Sequence, residues 1–389
     1  MKKTVISLLC AMLLLSGCGG DESVKTAPAI PVNAAQDSLG YVEGEDCQQQ
    51  WNSWSTTIGK KATVGVGGYY FCDETYVPNM LMFHDDATGQ TVPVCNRPDC
   101  DHTEDCAARV DFATDYLHWY DGNLYAISTR GLQVVLMRIS PDGATRDDVG
   151  TLFSMANGGS VMAVFHRGYV YAIPCGDGLV RHNTKLYRMN LGGGEESELI
   201  HTFDSVIGGE AFLRAYGNFV YIQHQHYADR DANGYNGDLY RYNIHSGEME
   251  LVMEGMRRMF ALDEDYLYYD SDTQVIARKL ETGEETVLLE SGVPVCLLHD
   301  GRYLYIDNHL GLNITDAPED ARRFITILDT ETMEIVDSVD WERYTEFRLI
   351  GVPDGVLLGK QHWVEDGKYY TCDLDTVLSG GEGVWEEIG

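Results

Sequence analysis

Four side chains able to bind a metal or exchange disulfides fall in one short stretch of this chain, CNRPDCDHTEDC, residues 95 to 106. Cys95, Cys100, His102 and Cys106 follow the pattern Cys-x4-Cys-x-His-x3-Cys. Three thiolates and an imidazole match tetrahedral zinc in number and type. The spacing lacks the Cys-x2-Cys chelate of fingers and ribbons, and Pro98 forces a tight loop. Disulfide bonding is the competing chemistry. Setting aside Cys10 and Cys18 leaves Cys47, Cys72, Cys95, Cys100, Cys106, Cys175, Cys296 and Cys372, an even set that allows full pairing. Cys95 with Cys106, or either with Cys72, would staple the loop. Free, redox-active thiols are the third reading. A zinc site or a disulfide would each be a structural clip on a connecting segment.

A second group of oxygen ligands lies in Asp229-x-Asp231-x-Asn233-Gly234. Carboxylate and amide oxygens at alternate positions before a glycine turn suit calcium, as at the start of an EF-hand loop. The twelfth position is Tyr240 rather than a bidentate Glu, and the next acid, Asp238, stands at position ten. Asp229, Asp231, Asn233 and Asp238 are therefore either a calcium loop or a solvated polar loop. His224 and His226, two apart near a strand end, face one way. With His102 or His309 nearby they would hold a transition metal or a ligand; otherwise they are surface residues. The chain has no nucleophile elbow, phosphate-binding glycine loop or HExxH motif. Its 61 acidic residues single out no catalytic pair.

The elements that must carry these residues are repeated. A turn followed by an aromatic strand recurs as GGYYFCD at 67, DGNLYAIS at 121, RGYVYAIP at 167, GNFVYIQH at 217, EDYLYYDS at 264, DGRYLYID at 300 and DGVLLGKQ at 354. After each comes a strand, a tight turn and another strand, as in LYRYNIHSGEMELV at 239. Apolar and polar side chains alternate, Leu239, Arg241 and Asn243 against Tyr240, Tyr242 and Ile244, which half-buries a strand. Glycines in DG, SG and TG pairs supply the positive φ of hairpin turns. A short apolar run before each first turn, such as VMAVF ahead of His166, adds one more strand. Four strands per repeat, seven times over, predict an all-β, seven-bladed β-propeller of four-stranded antiparallel blades from about residue 60 to 389. Ring closure is expected to rest on side-chain packing, unless residues 47 to 60 add a strand. His166 and His299 hold equivalent places before the turn and read as repeat features. Trp51, Trp54 and Trp119 read as packing residues.

In such a blade the turns joining strands one to two and three to four share one face, and here they are short. The other face receives the long connections 175–184, 224–238, 308–323 and 361–368 and the cysteine segment. Long loops on a rigid scaffold concentrate function. That face would gather His102, Cys175, His182, His224, His226, His309, His362 and Trp363.

At the N-terminus, Lys2 and Lys3 precede a short apolar core, Val5 to Leu15, and then Leu15-Ser16-Gly17-Cys18. The core is too short to span a bilayer. The stretch resembles the lipobox of bacterial lipoproteins. That resemblance implies a signal peptide over 1–17, a diacylglyceryl group on Cys18, a tether over 18–46 and a propeller over 47–389. The tether region carries few large apolar side chains. Loss of Lys2 and Lys3 takes the net charge from −33 to about −35. So acidic a chain repels nucleic acid, which excludes polyanion binding as its role. With 44% hydrophobic residues and 24 tyrosines it builds a real core.

Taken with the DGxxYY and LYRxxxxTGE repeats, the chain resembles the bacterial extracytoplasmic β-propeller lipoproteins with TolB-like repeats. The resemblance covers everything from about residue 60 onward and implies the fold and an address at the membrane or cell surface, but no reaction. The expectation is a lipid-anchored propeller that binds a ligand, a glycan, a peptide or an envelope protein through its long-loop face. The competing expectation is a propeller enzyme, a metal-assisted hydrolase or lyase acting on glycans or peptides. Zinc and calcium are the cofactors considered.

Overall fold

The computed structural model describes Gln49, Trp51 and residues 61–388, apart from 74, 77–78, 104–105, 111–115, 156–159, 176–182, 195, 207–210, 227–235, 257–258, 272–273, 291–293, 309–323, 341–346 and 362–367. Within these residues the chain forms seven antiparallel sheets, each a meander of four strands in sequence order. Blade one begins with Ala62–Gly65, blade two with Tyr116–Tyr120 and blade three with Ser160–His166. Blades four to seven begin with Ala211–Tyr216, Phe260–Leu262, Pro294–His299 and Phe347–Gly351. First strands lie side by side from blade one through blade four and again between blades five and six, around an axis. The fourth strands, such as Glu285–Glu290, form the exposed rim. The expected propeller is thus present. An unexpected fifth strand, Arg109–Val110, adds to the third strand of blade one, Asn79–Asp85. A one-turn helix, Leu374–Leu378, interrupts blade seven before its last strand.

The repeated residues explain the repeated geometry. At the first hairpin of blade two, Asp121 and Gly122 both have positive φ, 46° and 71°. This is the primed turn that matches strand twist, and glycine meets its second position without strain. The acid before the turn is a hydrogen-bond hub. Asp300 accepts from the Arg302 and Tyr303 amides through Oδ1 and from the Tyr305 hydroxyl, at 2.6 Å, through Oδ2. Asp263 does the same for Asp265, Tyr266 and Tyr268. The tyrosine of DGxxYY thus buries its ring between blades and returns its hydroxyl to its own turn. Second hairpins use a similar device: Asp85 Oδ1 accepts the Thr88 amide and hydroxyl, each at 2.8 Å.

Aromatic rings fill the wedges between blades. Phe165 of blade three sits among Tyr116, His118, Tyr120 and Tyr125 of blade two. Tyr171 meets Tyr242 across blades three and four, and Tyr268 stacks on His299 across blades five and six. Among the described residues no strand is shared between blades one and seven. The seam is closed by a cluster of Ala62, Tyr69, Phe71, Met80, Met82, Cys106 and Ala108 with Ile350, Leu358, Tyr369 and Ile388. Phe71 and Tyr369 lie 5.2 Å apart there.

Of residues 47 to 60, the segment that would add a strand if closure did not rest on packing, only Gln49 and Trp51 are described. Trp51 forms one isolated bridge with Gly351 of blade seven. Gln49 pairs its side-chain amide with both backbone groups of Leu262 in blade five. Its carbonyl accepts the His299 amide of blade six at 3.1 Å. Arg214 of blade four donates to the carbonyls of Trp51 at 2.9 Å, Leu297 at 3.2 Å and Phe260 at 3.4 Å. Groups that touch the first strands of four blades at once lie on the axis. Gln49, Trp51 and Arg214 are all buried there, between the first strands of blades four to seven. Gln49 sits level with Leu262 and His299, the last residues of their first strands, so this plug stands at the short-turn end.

Candidate metal centre

The connection from blade one to its fifth strand carries the cysteine quartet. It starts where Cys95 donates its amide to the Pro93 carbonyl at 2.8 Å. Two further tight turns follow: the Cys100 amide bonds the Arg97 carbonyl at 3.3 Å and the Cys106 amide bonds that of Thr103 at 2.9 Å. These turns fold the segment back on itself. His102, between them, has φ of 56°, a left-handed conformation uncommon outside glycine. Arg109 Nε holds the His102 carbonyl at 3.0 Å, and Arg146 donates to the carbonyls of Ala107 and Arg109.

The outcome is convergence. One ligand atom from each of Cys95, Cys100, His102 and Cys106 lies within 4.8 Å of every other. His102 Nδ1 is 3.2 Å from Cys106 Sγ. Cys106 is buried and the other three are half-buried. Two donors point at sulfur: Arg97 Nη2 to Cys100 Sγ at 3.0 Å and the Ala108 amide to Cys106 Sγ at 3.3 Å. Burial pushes the Cys95 thiol up, but the Arg97 amide and guanidinium and the neighbouring thiols outweigh it, leaving Cys95 below the ordinary thiol value. Burial holds Cys106 above that value, assisted by the other two thiols and opposed by the Ala108 amide. No disulfide joins the quartet cysteines, and the other four described cysteines, Cys72, Cys175, Cys296 and Cys372, are buried and stand outside the quartet. Among the described residues no other group of three or more His, Cys, Asp or Glu converges in this way.

The remaining predicted site residues are placed differently. His224 is buried, stacked on Phe203 at 4.8 Å with Nε2 3.0 Å from Thr184 Oγ1. It packs blade four on blade three instead of opening to a ligand, because Phe203 and Thr184 of the neighbouring blade cover it. Cys175 is likewise core. His226 ends the strand Phe219–His226. Asp238 accepts the Gly255 amide at 3.2 Å within its own blade. Asp229, Asp231, Asn233, His182, His309, His362, Trp363, Trp54, Cys47 and Cys18 lie outside the described residues. His166 is the expected repeat feature, with Nε2 2.7 Å from the Gly217 carbonyl of the next blade. Trp119 packs as expected, stacked on Tyr70. Sequence reasoning missed Gln49 and Arg214. A lone charge within the apolar run AFLRAY was the available signal for Arg214; Gln49 offered none.

No protein-family model matches the chain, and no curated protein matches its sequence. Its fold is similar to solved propellers at low identity. The tricorn protease matches with a TM-score of 0.54 and 13% identity over 86% of this chain. That match covers 34% of the protease, so this chain spans about a third of its length. Oligogalacturonate lyase from Vibrio parahaemolyticus matches with a TM-score of 0.52 and 11% identity, over 85% of this chain and 91% of the lyase. TolB from Acinetobacter baumannii matches with a TM-score of 0.40 and 14% identity, over 69% of this chain and 62% of TolB. The class defined by fold and comparison is the seven-bladed β-propeller with four-stranded antiparallel blades.

Proposed function

We propose that this protein is a non-catalytic binding propeller, anchored outside the cytoplasm through a lipid on Cys18 and working through its long-loop face. The observation that carries the reading is the plugged axis. Gln49, Trp51 and Arg214 are buried at the axis, where hydrogen bonds tie them to the first strands of blades four to six. A substrate therefore has one face to approach, the one bearing the long connections of blades one, three, four, six and seven. Gln49 also sets orientation. A tether ending at the short-turn end turns that end toward the membrane and the long loops outward. The field of a chain with net charge −33 favours neutral or cationic ligands, neutral glycans or basic peptides, over polyuronates or nucleic acid.

The test is isothermal titration of the full chain with neutral, cationic and anionic oligosaccharides and peptides. A second chain carries Gly-Ser replacements of 227–235 and 309–323. Saturable binding to a neutral or cationic ligand that the replaced chain loses supports the reading. Turnover of any ligand, or binding that ignores both replacements, overturns it.

A further inference from the structure

We propose that Cys95, Cys100, His102 and Cys106 bind one zinc ion, and that this ion clasps the seam where the ring closes. The first part rests on ligand type and convergence. Zinc–sulfur bonds of about 2.3 Å at tetrahedral angles put sulfurs about 3.8 Å apart. The four ligand atoms already lie within 4.8 Å of one another, so small side-chain rotations complete the tetrahedron. His102 Nδ1 is the imidazole atom that faces Cys106. Any disulfide here would use two thiols and strand the third beside the imidazole, whereas zinc uses all four groups. The surrounding donors fit thiolates: the Arg97 guanidinium and the Ala108 amide aim at the Cys100 and Cys106 sulfurs, and N–H donors and a cation temper thiolate charge. Binding releases the three thiol protons to solvent and leaves a site of net charge −1, which Arg97 offsets. Three cysteines and a histidine occupy every position of the tetrahedron, so the ion has no open place for substrate and its role is structural.

The second part rests on where the loop sits. Cys106 belongs to the cluster that joins Phe71 and Met80 of blade one to Ile350, Leu358, Tyr369 and Ile388 of blade seven, and Cys95 and Cys100 pack against it. The Leu81 amide bonds the Ala108 carbonyl at 2.8 Å, and the fifth strand then pairs with Asn79 and Met80. An ion fixing the loop therefore fixes the surface against which blade seven closes, at the joint where no described strand is shared.

The experiment is elemental analysis of the full chain purified without chelator, followed by exchange into cobalt(II). Expected are about one zinc per chain, and for the cobalt form the strong visible bands and sulfur-to-metal charge transfer of a tetrahedral thiolate site. Cys100→Ser and His102→Ala lose the bound equivalent; Cys372→Ser, away from the site, keeps it. Should the quartet variants fail to fold, chelation of the wild-type chain gives the same answer. It removes the ion, and hydrogen exchange quickens in 62–85 and 347–373 while 211–256 stays unchanged. No bound metal, a disulfide within the quartet, or a cobalt spectrum without thiolate charge transfer overturns the site. Metal that leaves exchange at the seam unaltered overturns the clasp. None of these outcomes bears on ligand binding by the long-loop face.

Discussion

Replacing Gln49 by alanine tests whether the axial plug supports the ring. The Gln49 carboxamide serves both backbone groups of Leu262, its Oε1 accepting the amide at 2.6 Å and its Nε2 donating to the carbonyl. Gln49 is fully buried, so its truncation leaves an N–H and a C=O without partners away from water. Each such group costs about 1–3 kcal/mol, so the variant should lose about 2–6 kcal/mol. Urea unfolding followed by tryptophan fluorescence measures it. With an m-value near 3 kcal/mol/M, the midpoint should fall on the order of 1 M while the slope holds. A shift within about 0.5 kcal/mol of wild type, as for an exposed site, refutes the plug. Gln49→Glu sharpens the test. A protonated carboxyl reproduces both bonds, but a carboxylate sets an anionic oxygen against the Leu262 carbonyl. Burial then raises the folded-state pKa above the usual value of about 4.3. The stabilising contribution is complete below that value and is lost as pH rises through the folded pKa. Relative to wild type, Gln49→Glu should therefore be near normal at about pH 4 and strongly destabilised at pH 7.

Further predictions concern the repeat. Tyr305→Phe removes the 2.6 Å bond to Asp300 and should cost about 1–2 kcal/mol in the same urea assay; no change would separate the hydroxyl from the turn. Gly68→Ala would set a Cβ 1.9 Å from the His84 carbonyl oxygen, so blade one must shift; the thermal midpoint should fall by several degrees, and an unchanged midpoint would contradict the close strand approach. Asp85, held low by the Thr88 hydroxyl and amide, and Asp373, held low by the Thr376 hydroxyl, have depressed pKa values in the folded chain. Their contribution is present above the unfolded value near 4 and lost as pH falls through the folded one. Asp85→Asn with Asp373→Asn should therefore flatten the acid limb of a stability–pH curve. Tyr69 and Tyr70 are pushed up to about 12, chiefly by burial. Stability from keeping them neutral is complete below pH 10 and fades as pH rises through 12, which a spectrophotometric titration should show as late ionisation.

What the sequence disclosed and what it hid divide along sequence separation. The blades were legible because each hairpin is local: Asp121 and Gly122 make their own turn, and Asp300 bonds Tyr305 five residues on. The quartet was legible for the same reason, its ligands spanning residues 95 to 106. The convergence of three sulfurs on one imidazole, on which the zinc proposal rests, needed the turns that fold the loop back. His224 misled because a histidine near a strand end reads as exposed, while its burial is supplied by Phe203 from another blade. The plug was invisible because Gln49 and Leu262 lie 213 residues apart and a single amide links them. The fifth strand, Arg109–Val110, has two residues and so no alternation to detect.

Among the described residues the first and last blades share no strand, so other contacts must hold that joint. Here three substitutes act at or beside one joint: the apolar cluster of Phe71, Ile350, Leu358 and Tyr369, the bridge from Trp51 to Gly351, and the loop of the quartet. Every one involves residues before 111, so the N-terminal part of the chain acts both as a blade and as the fastener. Blades three and four have no such joint; Tyr171, Tyr242 and the His166–Gly217 bond knit them to each other directly. Local opening follows the weakest packing. Native-state hydrogen exchange should therefore show the strands at 62–73 and 347–373 opening at lower free energy than those at 160–175 and 211–226. Faster exchange in blades three and four than at the seam would mean that closure by packing is as strong as the continuous ring, and the fastener would have no work to do.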